Sequence, residues 1–526
     1  MTNIKNVTIL TFLINILKNE NFSFYLFLFS SLIFFIFNII AINEPLFTIH
    51  GFRQSQTALT SFYLIQNGFS FNYETPVVGY PWSIPFEFPI YQWIVANLSS
   101  LTGFNLTPTG RLVSLVFGYL CILPTHNLFL ILGLSRKYFF YSTSLFLTTP
   151  LYLYWSGTFM IESTALFFSL YFLYYAVKIF KGDHKFITFL IGTIFLSLAL
   201  LQKVTTVLPI FTLVCLFYLL NFNLNILRNN PKIIFLFFLF FICPVLIAYS
   251  WVNFTDLVKE LNPIGLSLTS KALQGWNWGD SIVRTSKELW SDTVLSRNIV
   301  RNSIGFSGLI VVFLGLLFSK NHTKKILFSL SLLFIIPFLF FPILHRVHNY
   351  YQYSNLIFYI ILLSISIIYI SESVVLKINR KSLNINIILS IVFTILVTFS
   401  FSKFYLGNYG KDKLRSIDIT KNRTYLISEF IKNNTPKDSS VIVYGFDWSS
   451  EIAYHSERKA LTLPWERWDI EAITNTDKFL PNIKIGAIVN CYSPASKKSK
   501  NLNKLINEKY NVDSNFISGC TLFINQ

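Results

Sequence analysis

Apolar stretches alternate with short polar loops over roughly the first 400 residues of this chain. About eleven of them approach the roughly 20 residues that an α-helix needs to cross the hydrocarbon core of a bilayer. Lipid offers no hydrogen-bond partners to the backbone, so a chain with this pattern is expected to cross the membrane as helices. The predicted spans are residues 22–42, 112–134, 138–155, 161–180, 186–201, 204–220, 233–251, 304–318, 326–344, 356–370 and 385–401.

Basic residues of the short loops favour one orientation. With the N-terminus in the cytoplasm, every short inner loop carries Lys or Arg, as is typical of membrane proteins. The sequence therefore predicts a multi-pass protein of the cell inner or plasma membrane, with the N-terminus cytoplasmic and the C-terminal segment extracytoplasmic. The basic residues concerned are Arg136, Lys137, Lys181, Lys185, Arg228, Lys232, Lys320, Lys324, Lys325, Lys377, Arg380 and Lys381.

Three larger polar regions fall on the outer side in this orientation. Residues 43–110 form a long first loop, predicted to carry surface helices joined by a Pro-rich turn, and residues 253–302 form a second one. From residue 403 to 526 the composition changes to alternating short helical and strand patterns. A membrane domain of residues 1–402 is thus predicted to precede a small extracytoplasmic α/β domain. The predicted strands there are 440–444, 485–490 and 520–524, and the predicted helices are 423–433 and 502–510.

Composition supports this class. Hydrophobic residues make up 53% of the 526 residues and charged residues 13%, with a mean hydropathy of +0.52. The net charge of +18 would suggest nucleic-acid binding in a soluble chain, but here the cations flank apolar segments, where they meet anionic lipid. We expect membrane lipids and no nucleic acid as partners. Cys491 and Cys520 both lie in the C-terminal domain, where pairing requires an oxidising compartment.

Residues suited to chemistry collect on the predicted outer face. Carboxylates can act as bases, cations can hold a phosphate, and aromatic rings can hold a sugar or lipid. Glu162 stands at the mouth of the fourth span, and Lys203 occupies a tight turn between the fifth and sixth spans. The remaining candidates are Glu44, His50, Arg53, Gln56 and Glu87 in the first loop, and His345, Arg346, His348, Tyr350 and Tyr351 between the ninth and tenth spans.

Four short patches resemble the type C glycosyltransferases of the protein mannosyltransferase and aminoarabinose transferase kind. The stretch from His50 to Gly68 is similar to their aromatic-Arg-Gln motif in the first loop, and Pro85 to Tyr91 resembles their Pro-Pro-Leu-Tyr element. Ile161-Glu162-Ser163 resembles the acidic element that opens their fourth span, and His348 to Tyr351 resembles a late His-Tyr-Tyr element.

The resemblance implies a polytopic helical fold and a specific reaction. Such enzymes move a sugar from a polyprenyl-phosphate donor to an extracytoplasmic acceptor, which is a glycan, a lipid or a protein. No cofactor and no metal site is expected, because His345 and His348 lack a third defined ligand. In the binding site, the resemblance covers His50, Arg53, Gln56, His348, Tyr350 and Tyr351. Outside these patches, Lys203 and Arg346 are cations suited, like Arg53, to holding a lipid phosphate, and His345 is a candidate for headgroup contact.

One position departs from the family pattern. Members carry an Asp early in the first loop as the presumed base, where this chain has Gln56, which cannot accept a proton usefully at neutral pH. Either Glu87, Glu44 or Glu162 replaces that acid, or the alignment shifts, or the protein is altered or inactive. Glu87 is favoured because Pro85 and Pro89 stiffen its segment. A pKa raised by partial burial would suit this role.

Two other functions stay open at this point. A transporter or flippase for a lipid-linked glycan would carry charges in the middle of its spans, and the predicted spans are nearly free of them. A catalytically silent scaffold that binds glycolipid would tolerate Gln56. Some candidates also have purely structural explanations. Arg53 and Glu87 can form an ion pair that only stabilises the loop, and Lys203 can extend its ammonium to the membrane interface. The enzyme hypothesis requires Arg53, Glu87, Glu162, Lys203 and His348 to converge.

Overall fold

The computed structural model describes residues 21–221, 231–302, 305–378, 385–406, 409, 418–464, 468–510 and 512–525. Eight helices within these ranges are long and apolar enough to cross a membrane, judged by length and composition. They confirm a helical polytopic fold, while the count of about eleven spans stays a prediction. Arg228, Arg380 and Lys381 of the predicted inner loops lie outside the described residues. The eight candidate spans are Phe22–Ile40, Leu106–Ile131, Glu162–Phe180, Phe186–Asn221, Lys232–Glu260, Asn321–Phe340, Asn349–Val374 and Ile385–Ser402.

Most secondary-structure elements of the described residues are α-helices. They are α1 (Phe22–Ile40), α2 (Gly51–Asn67), α3 (Ile90–Thr102), α4 (Leu106–Leu120), α5 (Ile122–Ile131), α6 (Arg136–Thr148), α7 (Pro150–Trp155), α8 (Glu162–Phe180), α9 (Phe186–Asn221), α10 (Pro231–Phe241), α11 (Cys243–Glu260), α12 (Gln274–Trp278), α13 (Ser281–Thr285), α14 (Phe306–Phe318), α15 (Asn321–Phe340), α16 (Pro342–Val347), α17 (Tyr353–Ile378), α18 (Ile385–Phe399), α19 (Arg423–Asn434), α20 (Glu451–Ser456), α21 (Asp469–Thr474) and α22 (Lys497–Tyr510). Glu288–Val300 and Ser400–Tyr405 form π-helical segments.

Some helix boundaries differ from those of the predicted spans. Helix α11 continues to Glu260, nine residues beyond the predicted end of its span at Trp251. The predicted span 138–155 is broken into α6 and α7 at Thr149, which is extended with φ −62° and ψ 129°. A residue that precedes proline is pushed out of the helical region, and Pro150 follows here.

The chain reverses direction at Lys203, in the middle of α9. Lys203 has the extended angles φ −165° and ψ 95°. Phe237 contacts both Phe189 and Tyr218, with ring centroids 5.2 and 5.8 Å apart. A straight helix would separate Phe189 and Tyr218 by about 43 Å, which excludes these joint contacts. The two halves of α9 therefore form a hairpin, and Lys203 lies at the predicted tight turn.

The first loop carries two helices, as predicted. Helix α2 is mostly buried although it is rich in polar residues, including Gln54, Ser55 and Gln56. A Pro-rich segment with a cis Tyr80–Pro81 peptide bond leads to α3. Because both faces of α2 contact protein, its polar side chains are available for interactions inside the molecule.

A five-stranded sheet forms the core of the C-terminal domain. Its strands are β1 (Ser440–Tyr444), β2 (Lys459–Thr462), β3 (Ile485–Asn490), β4 (Ser514–Ile517) and β5 (Cys520–Ile524), in the order β2-β1-β3-β5-β4. The first three strands are parallel, while β5 pairs antiparallel with β3 and with β4. The three predicted strands are β1, β3 and β5. A disulfide joins Cys491 to Cys520, at the end of β3 and the start of β5.

The first loop extends this sheet at its β2 edge. Val78 pairs antiparallel with Leu461, and the Thr462 backbone N–H donates to the Val77 carbonyl at 2.7 Å. Apolar side chains of both segments share one buried cluster, which includes Leu59 and Ile442. The C-terminal domain is therefore seated directly on the first loop.

Candidate active site

An ion pair links the two halves of the first loop. The Arg53 guanidinium at the start of α2 donates to both carboxylate oxygens of Glu87 at 3.0 Å. It also donates to the side-chain carbonyl of Gln56, and the Gln92 amide donates to Glu87 at 2.9 Å. Arg53 and Glu87 are only 18% and 11% exposed, so the pair is well shielded from water.

This environment lowers the pKa of Glu87. Burial alone would raise the pKa of Glu87, but Arg53 and the Gln92 amide hold it below its ordinary value. Burial alone would lower the pKa of Arg53, which Glu87 and two tyrosines instead raise. Glu87 is thus a carboxylate at neutral pH, and it lacks the raised pKa that would suit a base, because the opposite charge outweighs burial.

A second buried ion pair joins Lys203 and Glu162. The Lys203 ammonium at the hairpin turn donates to Glu162 Oε1, and the two side chains are 9% and 3% exposed. Lys203 Nζ also lies over the rings of Tyr351 and Tyr350, 4.2 and 5.1 Å from their centroids. Such cation–π contacts add to the charge pairing that holds Lys203 in place.

Histidine rings connect this pair to the start of α2. His50 has φ 53° before the first turn of α2, and its ring lies 5.1 Å from that of His348 and 5.0 Å from that of Tyr350. His348 stacks on Tyr350 at 5.2 Å, and His345 lies 5.9 Å from Tyr351. The predicted late element and the first loop therefore meet at one place.

Buried cations surround these histidines. Burial lowers the pKa of His345 to about 3, with further lowering by Lys203 and Arg297. Burial likewise lowers the pKa of His348 to about 4, assisted by His50, Lys203 and Arg53. Both rings are neutral at pH 7. Because Arg53 and Lys203 are each paired with a carboxylate, the net positive charge of this group comes from Arg297, and it suits an anionic ligand.

Several buried polar atoms of the site lack a hydrogen-bond partner among the described residues. They include Glu162 Oε2, Gln56 Nε2, Trp155 Nε1 and the Nδ1 atoms of His345 and His348. An unpaired buried polar group costs free energy, and a ligand or bound water at this place would satisfy these atoms.

Ten of the twelve predicted site residues converge here, and two do not. Glu44 is half-buried in the turn after α1, whose Ala41 and Pro45 carbonyls accept hydrogen bonds from Arg111. No hydrogen bond or ion pair between described residues joins Glu44 to the ion pairs. The Arg346 side chain is half-exposed, and only its backbone carbonyl is engaged, by Arg297 at 3.0 Å.

Sequence reasoning missed three contributors. Arg297 lies in a π-helical segment and donates to the His345 carbonyl at 3.3 Å. Trp155 contacts His50 with ring centroids 5.8 Å apart. Gln92, which donates to Glu87, follows directly after the predicted Pro85–Tyr91 element. The signal for Arg297 was weak, since a lone arginine in an irregular loop resembles any solvated cation.

The C-terminal domain also contacts the two chain segments that carry Arg53 and Glu87. Trp448, in the loop after β1, lies 5.7 Å from the Phe86 ring, and it also contacts Phe52. The Ser450 hydroxyl donates to the Phe52 carbonyl at 2.9 Å. A Cβ on Gly51 would lie 2.6 Å from Glu451 Oε1, so glycine permits this close approach. These contacts fix the first turn of α2 from outside.

Within the described ranges, no three His, Cys, Asp or Glu side chains are grouped as a metal ion would require.

Neither a family model nor a curated protein sequence matches this chain. Solved structures do match. ArnT from Cupriavidus metallidurans, bound to undecaprenyl phosphate, superposes with a TM-score of 0.62 at 12% identity, covering 97% of this chain and 99% of that one. The oligosaccharyltransferase AglB from Archaeoglobus fulgidus, in complex with an inhibitory peptide and a dolichol-phosphate, gives 0.57 at 11% identity, covering 96% and 74%.

A third similar structure is the arabinofuranosyltransferase AftD from Mycobacteria. Its TM-score is 0.54 at 11% identity, covering 95% of this chain and 40% of that one. All three are membrane glycosyltransferases of type C. The chain has the type C glycosyltransferase fold, as the sequence resemblance predicted.

Proposed function

We propose that this chain is an integral membrane glycosyltransferase that moves a sugar from a polyprenyl-phosphate donor to an extracytoplasmic acceptor. The observation that carries the proposal is the buried group of three cations and two carboxylates at one end of the helix bundle. The shared fold adds support, because two similar structures hold undecaprenyl phosphate and a dolichol-phosphate.

Cations of the site would hold the donor phosphate. Arg53 and Lys203 are already paired with carboxylates, whereas Arg297 and Arg346 form no ion pair among the described residues. A guanidinium matches a phosphate with two parallel hydrogen bonds. Because the half-exposed Arg346 side chain lies outside the converging group, we assign the phosphate to Arg297, with Lys203 stabilising the charge that develops as the phosphate leaves.

Glu162 is the better placed base. Both oxygens of Glu87 are occupied by Arg53, and its lowered pKa makes it a weak proton acceptor. Glu162 Oε2 is buried and has no hydrogen-bond partner among the described residues. We assign proton acceptance to Glu162 and the positioning of Arg53 to Glu87, which revises the preference that the sequence suggested.

The proposed reaction is a single displacement with inversion. The acceptor hydroxyl gives its proton to Glu162 as its oxygen attacks the anomeric carbon. A new carbon–oxygen bond forms there while the bond to the donor phosphate breaks. The polyprenyl phosphate leaves with the bonding electron pair, and no cofactor is needed for the balance.

We assign this site to the extracytoplasmic side of a cell inner or plasma membrane, with the N-terminus in the cytoplasm. The Lys137–Glu372 and Lys178–Asp183 pairs lie at the opposite end of the bundle, where the basic loops gather. The Cys491–Cys520 disulfide supports an oxidising compartment for the C-terminal domain.

A silent glycolipid-binding scaffold is the second candidate, favoured by Gln56 in place of the expected acid. A flippase is less favoured, because Glu162 and Lys203 neutralise each other at helix ends instead of standing alone in mid-membrane.

Proteoliposomes test these functions. Proteoliposomes that contain the full chain would be supplied with radiolabelled arabinose, aminoarabinose, glucose or mannose linked to undecaprenyl phosphate as the donor. A bacterial envelope extract would serve as the acceptor. We expect release of undecaprenyl phosphate and labelling of the extract. Glu162→Gln should reduce this transfer about 100-fold or more, whereas Asp183→Asn at the opposite end should not. Donor binding without transfer would favour the scaffold, and movement of intact donor between leaflets the flippase.

A further inference from the structure

A polar cavity of about 190 Å³ lies beside the C-terminal end of α2, apart from the two ion pairs. It is lined by Tyr63 and Tyr73 and by the polar residues Asn67, Ser70, Asn72 and Glu74. Tyr63 and Tyr73 are 6% and 4% exposed, so the aromatic wall is part of the folded core.

The segment after α2 contributes most of the residues that line this cavity. Gly68 ends the helix with φ 76°, a conformation that L side chains rarely adopt. Phe69 and Phe71 then contact each other at 5.5 Å, and each contacts Phe88 at 6.1 Å. Ser70 and Asn72, which lie between and after these two rings, line the cavity, so one short segment supplies both an aromatic cluster and polar lining groups.

Charge in this cavity is balanced. Lys459 of strand β2 pairs with Glu74 at 2.7 Å, and its ammonium also lies 5.2 Å from the Tyr63 ring and 5.4 Å from the Trp82 ring. The remaining polar groups are amides and a hydroxyl, which both donate and accept hydrogen bonds as sugar hydroxyls do. Aromatic walls with a few polar groups suit a neutral polyhydroxylated ligand better than a phosphate.

One side chain connects the cavity to the proposed active site. The Tyr73 hydroxyl donates to the Glu87 carbonyl at 2.7 Å and accepts from the Phe86 backbone N–H at 3.0 Å. A ligand against the Tyr73 ring is therefore separated from the Arg53–Glu87 pair by the thickness of one tyrosine side chain.

We infer that this cavity is a subsite for a sugar residue of the acceptor, one that does not itself react. The inference rests on the proposed function and names the acceptor as a glycan or a glycan-bearing molecule. Binding a remote sugar of the acceptor positions the reacting hydroxyl near Glu162 and Glu87. Lys459 makes the C-terminal domain part of this subsite.

Saturation-transfer NMR tests binding without requiring catalysis. The full chain in nanodiscs would be probed with the methyl glycosides of glucose, galactose, mannose and N-acetylglucosamine. We expect saturation transfer to at least one of them. Asn72→Trp, which fills the mouth of the cavity from an exposed position, should reduce the signal about tenfold or more, the scale of one or two lost hydrogen bonds. Asn433→Trp, on exposed α19, is the matched control.

Two results would overturn the inference: no saturation transfer to any of the four glycosides, or equal signals from Asn72→Trp and the wild type. Equal unfolding temperatures of both variants would show that folding is intact. In the transfer assay, Asn72→Ala should raise the acceptor KM about tenfold and leave kcat and the donor KM unchanged.

The two proposals fail separately. Glycoside binding in a wild-type protein that transfers no sugar would refute the enzyme and retain the subsite. Transfer with an acceptor KM that is unaffected by both Asn72 variants would refute the subsite and retain the enzyme.

Discussion

Trp448 packs edge-on against Phe52, with ring centroids 5.1 Å apart, and so ties the C-terminal domain to the residue that precedes Arg53. The same indole lies beside Phe86, which precedes Glu87. One side chain of the C-terminal domain thus touches both segments that carry the buried ion pair.

Replacing Trp448 should impair activity more than stability. In Trp448→Ala, both segments lose a rigid contact, and small displacements of catalytic groups are costly. We expect kcat/KM for sugar transfer to fall about tenfold or more, while the soluble domain remains folded because Trp448 is only half-buried. Phe516→Ala, at the exposed edge strand β4, should leave transfer unchanged. Equal loss in both variants would contradict a positioning role.

Breaking the Arg53–Glu87 pair should destabilise the protein. Glu87→Gln leaves a buried guanidinium without its partner, a change that costs about 3–5 kcal/mol of unfolding free energy. The double variant Arg53→Gln, Glu87→Gln should lose less, because no charge is stranded. Glu372→Gln at the half-exposed opposite pair is the control, with an expected loss below about 1 kcal/mol. A double variant less stable than Glu87→Gln would argue against this account.

Acid should destabilise the folded state through the buried histidines. The pKa values of His345 and His348 are about 3 and 4 in the fold and about 6.5 in the unfolded chain. Between pH 6.5 and 4 the unfolded chain therefore binds more protons, so stability is complete above pH 6.5 and declines below it. His348→Asn should flatten this decline by up to about 1.4 kcal/mol per pH unit. Thermal unfolding across this pH range measures it, and an unchanged slope would contradict it.

Arg297 should contribute to binding of the phosphate of the donor lipid and not to binding of its hydrocarbon chain. Arg297→Gln is expected to weaken binding of undecaprenyl phosphate about tenfold or more, the usual loss for a charged hydrogen bond. Binding of undecaprenol, which lacks the phosphate, should hardly change. Lys271→Gln, at an exposed position of the same loop, controls for the loss of positive charge. A parallel loss for both lipids would indicate a structural role for Arg297.

The sequence predicted the membrane fold because hydrophobicity and span length decide it. It also predicted strands β1 and β3, whose residues are buried throughout and read as continuous apolar runs. Strand β4 was missed because its side chains are mostly exposed, and β2 because only four residues form it. Such strands depend on their partners more than on their own pattern.

Within the site, most of the residues were predictable and so was the Arg53–Glu87 pair, whereas the Lys203–Glu162 pair was not. Glu87 and Glu162 were both candidates, but which one keeps an unoccupied oxygen depends on where Arg53 and Lys203 reach. Trp448 and Lys459 come from a segment almost 400 residues along the chain from the first loop. No local pattern reports such a contact, since it exists only in the folded molecule.

The pairing of Val78 with Leu461 has a consequence for biosynthesis. The ribosome makes the second partner about 380 residues after the first, which takes roughly 20–80 s at ordinary translation rates of 5–20 residues per second. During that interval the first loop has to persist without its strand partner. Nascent chains stopped before Leu461 should therefore be exposed to proteases at the first loop.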